Sequence, residues 1–238
     1  MKQQWWIILA LAALIAALGV GAAAENGGQC GENVFWSLSA DGKTLTILGT
    51  GAMADYAEPD EVPWHGECEK ITRAVVGEGV TRIGSLAFIE CGSMTTVSLP
   101  DSLTAIGEHA FDYCPALAEV PLPGGLTEIG ACAFRFCQSL TEILFPEGLK
   151  ELGPQAFAHC TALKAIDLPE SMAHVSYLAF GDCPALTSAV IRNPEAIIGD
   201  GDLDVFIGCQ AGLVLRGQAG STLEAYAAAA GIAFEALD

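Results

Sequence analysis

The hydrophobic positions of this 238-residue chain recur with a strict period of 23 residues. Phenylalanine returns at one position of the period, with alanine directly before it and cysteine three residues after it. The members are Phe88, Phe111, Phe134, Phe157 and Phe180, and the cysteines are Cys68, Cys91, Cys114, Cys137, Cys160 and Cys183, with Cys209 following after 26 residues. A period of roughly 20 to 50 residues is typical of proteins built from stacked repeats. The sequence therefore predicts a solenoid with one irregular coil.

The spacing of apolar residues changes within each period. Ala87, Phe88 and Cys91 have the spacing of a short helical turn with one buried face. Val97 and Leu99 then alternate with polar residues, as in a short strand, and corresponding pairs recur in later units. Prolines end these strands at Pro100, Pro123, Pro146 and Pro169. Because one unit cannot bury its own apolar side, we expect the coils to stack and their strands to form a parallel sheet.

Both ends of the repeat array have patterns of their own. Residues 34–49 contain two apolar runs around the turn "SADGKT" and predict a β-hairpin that covers the first coil. Near the other end, Ser221 is placed to cap a helix over residues 222–230, which Gly231 would end. Trp36 and Trp64 fit core packing at the first end better than a sugar-stacking pair.

The first 24 residues have the pattern of a secretory signal. "MK" is followed by the apolar run "WWIILALAALIAALGV" and by three alanines, so cleavage would leave Glu25 at the start of the mature chain. The alternative is an uncleaved anchor, because the apolar run is close to the minimum of about 17 residues for a membrane span. We expect four segments: the signal at 1–24, a β-rich cap at 25–67, the solenoid at 68–212 and a second cap at 213–238.

Charge and missing motifs exclude several classes of function. The formal net charge of −19 opposes binding to nucleic acid or to anionic membrane surfaces. The chain contains no "GxSxG", Walker loop or "HExxH" sequence. We therefore expect no catalytic residue and no cofactor.

Two groups of residues could be interpreted either as metal sites or as ordinary surface structure. Asp200, Asp202 and Asp204 alternate like the start of a calcium loop, but the glycine and bidentate glutamate of that loop are missing. A solvated turn fits them better. Cys132, Cys137 and His159 do not have a common zinc spacing. No metal ion is expected.

The recurring cysteine permits either disulfides or packing. Neighbouring coils about 4.8 Å apart would place successive cysteines within reach of a disulfide. Side chains stacked in register point in the same direction, so buried reduced thiols are the favoured interpretation. Cys30 and Cys132 lie off this column, and Cys132 is expected to be the exposed thiol of the two. If the column is apolar, Cys160→Ser should destabilise more than Cys160→Ala, because serine would bury an unpaired hydroxyl.

The unit "GLTEIGACAFRFCQSLTEILFP", repeated from about residue 71 to 192, resembles the BspA-like leucine-rich repeats of bacterial surface and secreted proteins. The opening "CGENVFWSLSADGKTLTILGTGAM" and the closing "GSTLEAYAAAAGIAFEAL" resemble the caps of such arrays. The resemblance implies an α/β repeat fold, a right-handed solenoid with a hairpin cap and a helix-strand cap. It also implies a role in adhesion or in binding host or matrix components.

These observations predict a secreted or cell-surface monomer that binds an extracellular protein or glycan. The alternative is a spacer protein of the cell envelope without a specific ligand. Solenoids bind through the surface that stacked coils create, so the outward residues of the predicted strands are the candidate site. We call this surface the strand face, and it has two columns. The first contains Arg73, Thr96, Glu119, Glu142, Ala165 and Ser188, and the second contains Val75, Ser98, Pro121, Leu144, Asp167 and Val190.

Overall fold

A computed structural model describes residues 26–199, 204–209 and 212–237. Within these ranges the chain forms sixteen short strands, one α-helix, and two 3-10 helices at Pro59–Glu61 and His65–Glu67. The strands are β1 Gly27–Gln29, β2 Val34–Leu38, β3 Thr44–Gly49, β4 Gly51–Ala52, β5 Arg73–Val76, β6 Val80–Ile83, β7 Thr96–Ser98, β8 Ala105–Ile106, β9 Glu128–Ile129, β10 Glu151–Leu152, β11 Ala165–Leu168, β12 His174–Val175, β13 Ser188–Ile191, β14 Ile197–Ile198, β15 Val214–Gly217 and β16 Ala233–Ala236. The helix is α1 Thr222–Ala230.

The strand face is built from two separate sheets. One has the order β1-β2-β3-β5-β7 and the other β11-β13-β15-β16. Successive coils pair in parallel and in register, so that Arg73 lies beside Thr96, and Ala165 beside Ser188. Between the two sheets, the ladder is reduced to an isolated bridge from Thr96 to Glu119 and to single backbone hydrogen bonds, such as the one from the Lys164 N–H to the Thr141 carbonyl oxygen. The single parallel sheet expected from the sequence is therefore interrupted for two coils. Pro121 has no N–H to donate to a ladder, which explains part of the break.

A second parallel ladder, which the sequence did not predict, runs along another side of every coil. Its order is β14-β12-β10-β9-β8-β6-β4, and most of its strands contain only two residues. The apolar residue of each strand is buried, as at Ile106, Ile129 and Leu152. This buried apolar position of the repeat therefore belongs to a short strand in successive coils.

The segment around each phenylalanine is buried as expected, but the predicted helical turn is wrong. Ala87, Phe88 and Cys91 are completely buried. Two residues of this segment, Leu86 and Glu90, have positive φ angles, and equivalent positions of the next four coils do too. Left-handed residues at this interval prevent a continuous right-handed turn. The backbone N–H of Phe88 instead donates to Ala110 of the next coil.

Phenylalanine rings form the centre of the core. The five rings of the repeat are fully buried and stack almost parallel, with centroid distances of 4.9 Å between Phe88 and Phe111 and 5.6 Å between Phe157 and Phe180. Phe206 extends this stack at 5.8 Å in the irregular coil. The 23-residue period therefore corresponds to one continuous stack.

Both predicted ends are confirmed. Strands β2 and β3 form an antiparallel hairpin, and β3 pairs with the first solenoid strand, β5. At the other end, the Ser221 side chain accepts a hydrogen bond from the backbone N–H of Glu224. Gly231 adopts φ 69° at the end of α1, and β16 then pairs with β15. Each end of the apolar stack is thus covered by its own local structure.

Candidate functional site

The structure brings the predicted residues of the strand face together on one surface. Five of the six candidate binding residues are exposed, namely Arg73, Thr96, Glu119, Glu142 and Asp167, while Ser188 is half-buried. The backbone register aligns them from coil to coil at both ends of the face. Inward residues of the same strands, such as Val97 and Ile166, are buried. The alternation in the sequence therefore identified the correct outward face.

The C-terminal part of this face is occupied by its own ion pairs. Arg192 donates two hydrogen bonds to the Asp167 carboxylate, at 2.8 and 2.6 Å, and these bonds raise the pKa of Arg192. Arg216 donates to Glu235 at 2.8 Å and to the Ser188 hydroxyl at 2.6 Å. Asp167 and Ser188 are thus engaged within the chain, which the sequence did not reveal.

The centre of the strand face differs from its C-terminal part. Glu119 and Glu142 are exposed and form no ion pair with any residue that the structure describes. The Leu144 side chain beside them is 84% exposed, the highest value for a large apolar residue in the described ranges. This region therefore combines unneutralised negative charge with an apolar side chain in water.

The structure has two grooves that the sequence did not predict, one along the second ladder and one beside the turns that carry the phenylalanines. The larger has a volume of about 600 Å³ and follows the glycines Gly107, Gly130 and Gly153 along successive coils. A Cβ atom at Gly153 would lie 2.5 Å from the backbone nitrogen of Ala131, so the coils approach too closely there for a side chain. The smaller groove has a volume of about 460 Å³ and adjoins the 3-10 helix Pro59–Glu61.

A buried carboxylate organises one wall of the smaller groove. Asp112 is 1% exposed and accepts two hydrogen bonds from Arg135, at 3.1 and 2.7 Å. His109 Nδ1 lies 2.8 Å from the same carboxylate. The hydrogen bonds to Asp112 raise the pKa of Arg135. Asp112 is therefore fully engaged in fixing the arrangement of neighbouring coils.

Three rings beside this groove stack on each other. Tyr113 and Phe136 have a centroid distance of 4.3 Å, and Phe136 and His159 one of 4.2 Å. Trp64, considered above as part of a sugar-stacking pair, is 1% exposed and packs edge-on against Trp36. Trp64 therefore belongs to the core. In the stack of three rings, the sides that face a neighbouring ring are covered by it.

The cysteine column is buried as far as Cys183, as expected, whereas Cys209 in the irregular coil is half-buried. The free thiols of the column have hydrogen-bond acceptors. The Cys160 thiol lies 3.2 Å from the Phe134 carbonyl oxygen, and the same contact recurs in other coils. Burial raises the pKa of Cys114 and Cys183 to about 12. The expectation that serine at position 160 would bury an unpaired hydroxyl is therefore wrong, because an acceptor is present.

Two further expectations about cysteine need correction. Cys68 and Cys91, the first two members of the column, form a disulfide with a Cα–Cα distance of 4.4 Å. Only the later members of the column are therefore free thiols. Cys132 is more exposed than Cys30, at 7% against 3%, but it is buried, so the expectation that it is an exposed thiol is wrong.

No metal centre is formed by the residues that the structure describes. No three histidine, cysteine or acidic side chains in these ranges converge closely enough to hold an ion. Asp200 and Asp202 lie outside the described residues. Asp204 is described, and its carboxylate accepts hydrogen bonds from the Tyr226 hydroxyl and from the backbone N–H of Phe206.

The architecture defines a class of protein: a capped β-solenoid with coils of about 23 residues and one extended outward face. The family model "BspA type Leucine rich repeat region" matches residues 65–210 in six copies. The chain therefore belongs to the family of BspA-type leucine-rich repeat proteins. A search of curated protein sequences finds no significant match.

Solved structures with the same fold come from other bacteria. The chain is 24% identical to a leucine-rich repeat protein of Treponema pallidum, with a TM-score of 0.53, and the match covers 84% of this chain and 94% of that one. A leucine-rich repeat protein of Bacteroides ovatus is also 24% identical, with a TM-score of 0.56. That match covers 79% of this chain and 55% of the other. These likenesses support the fold.

Proposed function

We propose that this protein is a non-catalytic binding module that is exported and holds a second protein on its strand face. The observation that carries the proposal is the alignment of outward side chains over six coils, exposed in the first five and half-buried in the sixth. At about 4.8 Å per coil, these residues span about 24 Å, an extent suited to a partner surface. Family membership is consistent with a binding role.

A protein partner fits the structure better than a glycan. Sugar recognition by stacking requires an exposed aromatic ring face. Trp64 is buried, and the 45% exposed ring of Tyr113 stacks on Phe136 beside the smaller groove, away from the strand face. On the strand face itself, the twelve residues of the two columns include no aromatic side chain. Charged and aliphatic contacts are therefore the available chemistry.

Site-specific cross-linking would test this proposal. A photo-reactive amino acid at Thr96 on the strand face should give a discrete, saturable adduct with an extracellular protein from the source bacterium or its surroundings. Unlabelled protein should compete for that adduct. The matched control is the same substitution at Glu128, which is also exposed but lies on the second ladder. No adduct at either position would favour the spacer function, and an adduct only at Glu128 would move the site to the grooves.

Export has its own test. If residues 1–24 are a cleaved signal, protein recovered from the culture medium should have the mass of a chain beginning at Glu25. Full-length protein retained on cells would indicate the anchor instead. No helix within the described ranges is long and apolar enough to cross a membrane.

A further inference from the structure

The centre of the strand face differs from both of its flanks in backbone pairing. On the N-terminal side, β5 and β7 are joined by a parallel ladder, and on the C-terminal side, β11 and β13 are joined in the same way. Residues 119–122 and 142–145 are described, but they form no strand and no ladder with each other. The outward side chains of these two coils are therefore carried by backbone that no strand-face ladder joins.

The most exposed large apolar residue of the described ranges also lies at this centre. Leu144 is 84% exposed, whereas the equivalent residues Val75 and Val190 are only partly exposed. Burial of this apolar side chain by a partner would be favourable. Leucine at this position is thus suited to an intermolecular contact.

Charge distinguishes the centre in a third way. Asp167 is neutralised by Arg192, but Glu119 and Glu142 have no such partner among the described residues. They precede Pro121 and Leu144 by two residues and so lie beside them on the same outward face. Unneutralised carboxylates around an apolar contact favour a partner that presents the opposite charge.

We infer that Glu119, Glu142 and Leu144 form the contact centre of the strand face, and that its occupant is a basic segment of a partner protein. An apolar site of that segment receives Leu144, while lysine or arginine side chains on either side pair with the two glutamates. This inference rests on the proposed function, because it names the partner chemistry for the same face.

A selection of random peptides tests the inference and does not require the natural partner. Twelve-residue peptides displayed on phage would be selected on the full chain and then synthesised for binding measurements. We expect the selected peptides to contain lysine or arginine next to an apolar residue. Leu144→Ala should weaken their binding about tenfold or more, as for a central interface contact.

A pair of double variants separates this site from general electrostatic attraction. Glu119→Gln with Glu142→Gln should slow association and reduce the dependence of affinity on salt. The matched control is Glu128→Gln with Glu151→Gln, two exposed glutamates on adjacent coils of the second ladder. The control changes the net charge equally and should leave peptide affinity within about twofold of the original.

The outcomes distinguish the two proposals. Equal effects of the two double variants would overturn the inference, as would selected peptides without basic residues. If peptides without basic residues bound the chain but lost their affinity for the Thr96→Trp variant, the strand face would remain the binding surface and the proposed function would stand. If no selected peptide responded to Thr96→Trp or to Leu144→Ala, both the inference and the proposed function would be rejected.

Discussion

Replacing Cys160 tests whether the column thiols are hydrogen-bonded or simply fill space. The side chain is completely buried, and its thiol lies 3.2 Å from the Phe134 carbonyl oxygen. That oxygen also accepts a hydrogen bond from the backbone N–H of Cys137 at 3.3 Å. Removal of the thiol would therefore leave the carbonyl with one donor.

The two substitutions should cost similar amounts for different reasons. Cys160→Ala removes one buried heavy atom and should lower the free energy of unfolding by about 1 to 1.5 kcal/mol. Cys160→Ser also loses the apolar burial of sulfur, but its hydroxyl finds the same acceptor, and a satisfied hydrogen bond contributes about 1 kcal/mol. We expect the two variants to differ by less than about 0.5 kcal/mol, because the unpaired-hydroxyl penalty is absent.

Cys30 provides the matched control. It is 3% exposed, and its sulfur has no hydrogen-bond partner among the described residues. Cys30→Ser should therefore be about 1 to 3 kcal/mol less stable than Cys30→Ala. Urea unfolding under reducing conditions, followed by circular dichroism, measures all four variants. If serine proved more than about 1 kcal/mol worse than alanine at position 160 as well, the thiol would not be acting as a donor.

Three further predictions concern the thiols and the glycines. Because burial raises the pKa of the column thiols from their ordinary value of 9.0, the unfolded chain loses these protons first as the pH rises, and stability should fall above about pH 9. Each fully buried thiol contributes about 1.4 kcal/mol of this loss at about pH 10, so a melting temperature unchanged between about pH 8 and pH 10 would contradict the burial. Thiol titration in denaturant should find seven free cysteines without reductant and nine after reduction, since only Cys68 and Cys91 are joined. Gly153→Ala should cost more than about 2 kcal/mol by crowding adjacent backbone, whereas Gly124→Ala, with no atom within 4 Å of the new Cβ, should be nearly neutral in the same urea assay.

The stacked core could be predicted from the sequence because its signal is direct. A residue buried in every coil must be apolar in every repeat, so the column from Phe88 to Phe180 is visible as a period. The hairpin and the helix ends could be predicted for a similar reason, since Asp-Gly, Ser221 and Gly231 act through local backbone chemistry.

Other features depend on contacts between coils and leave no periodic trace. Strands such as β8 contain two residues, too few to show alternation. The left-handed positions are occupied by Leu86 in one coil and His109 in the next, because hydrogen bonds between coils, and not glycine, hold that conformation. The pairing of Asp167 with Arg192 spans 25 residues and does not follow the 23-residue period. The C-terminal part of the candidate site was therefore neutralised in a way that only the folded chain reveals.

The interruption of the strand-face sheet at Pro121 also affects how the solenoid unfolds. In a stack of repeats, cooperativity passes only through the interface between neighbouring coils. Between residues 119–122 and 142–145 that interface keeps the second ladder and the phenylalanine stack but lacks strand-face rungs. The Asp112–Arg135 ion pair also joins these two coils, so the missing rungs weaken the junction at the strand face only. Amide hydrogen exchange at residues 119–122 and 142–145 should therefore precede exchange in either strand-face sheet.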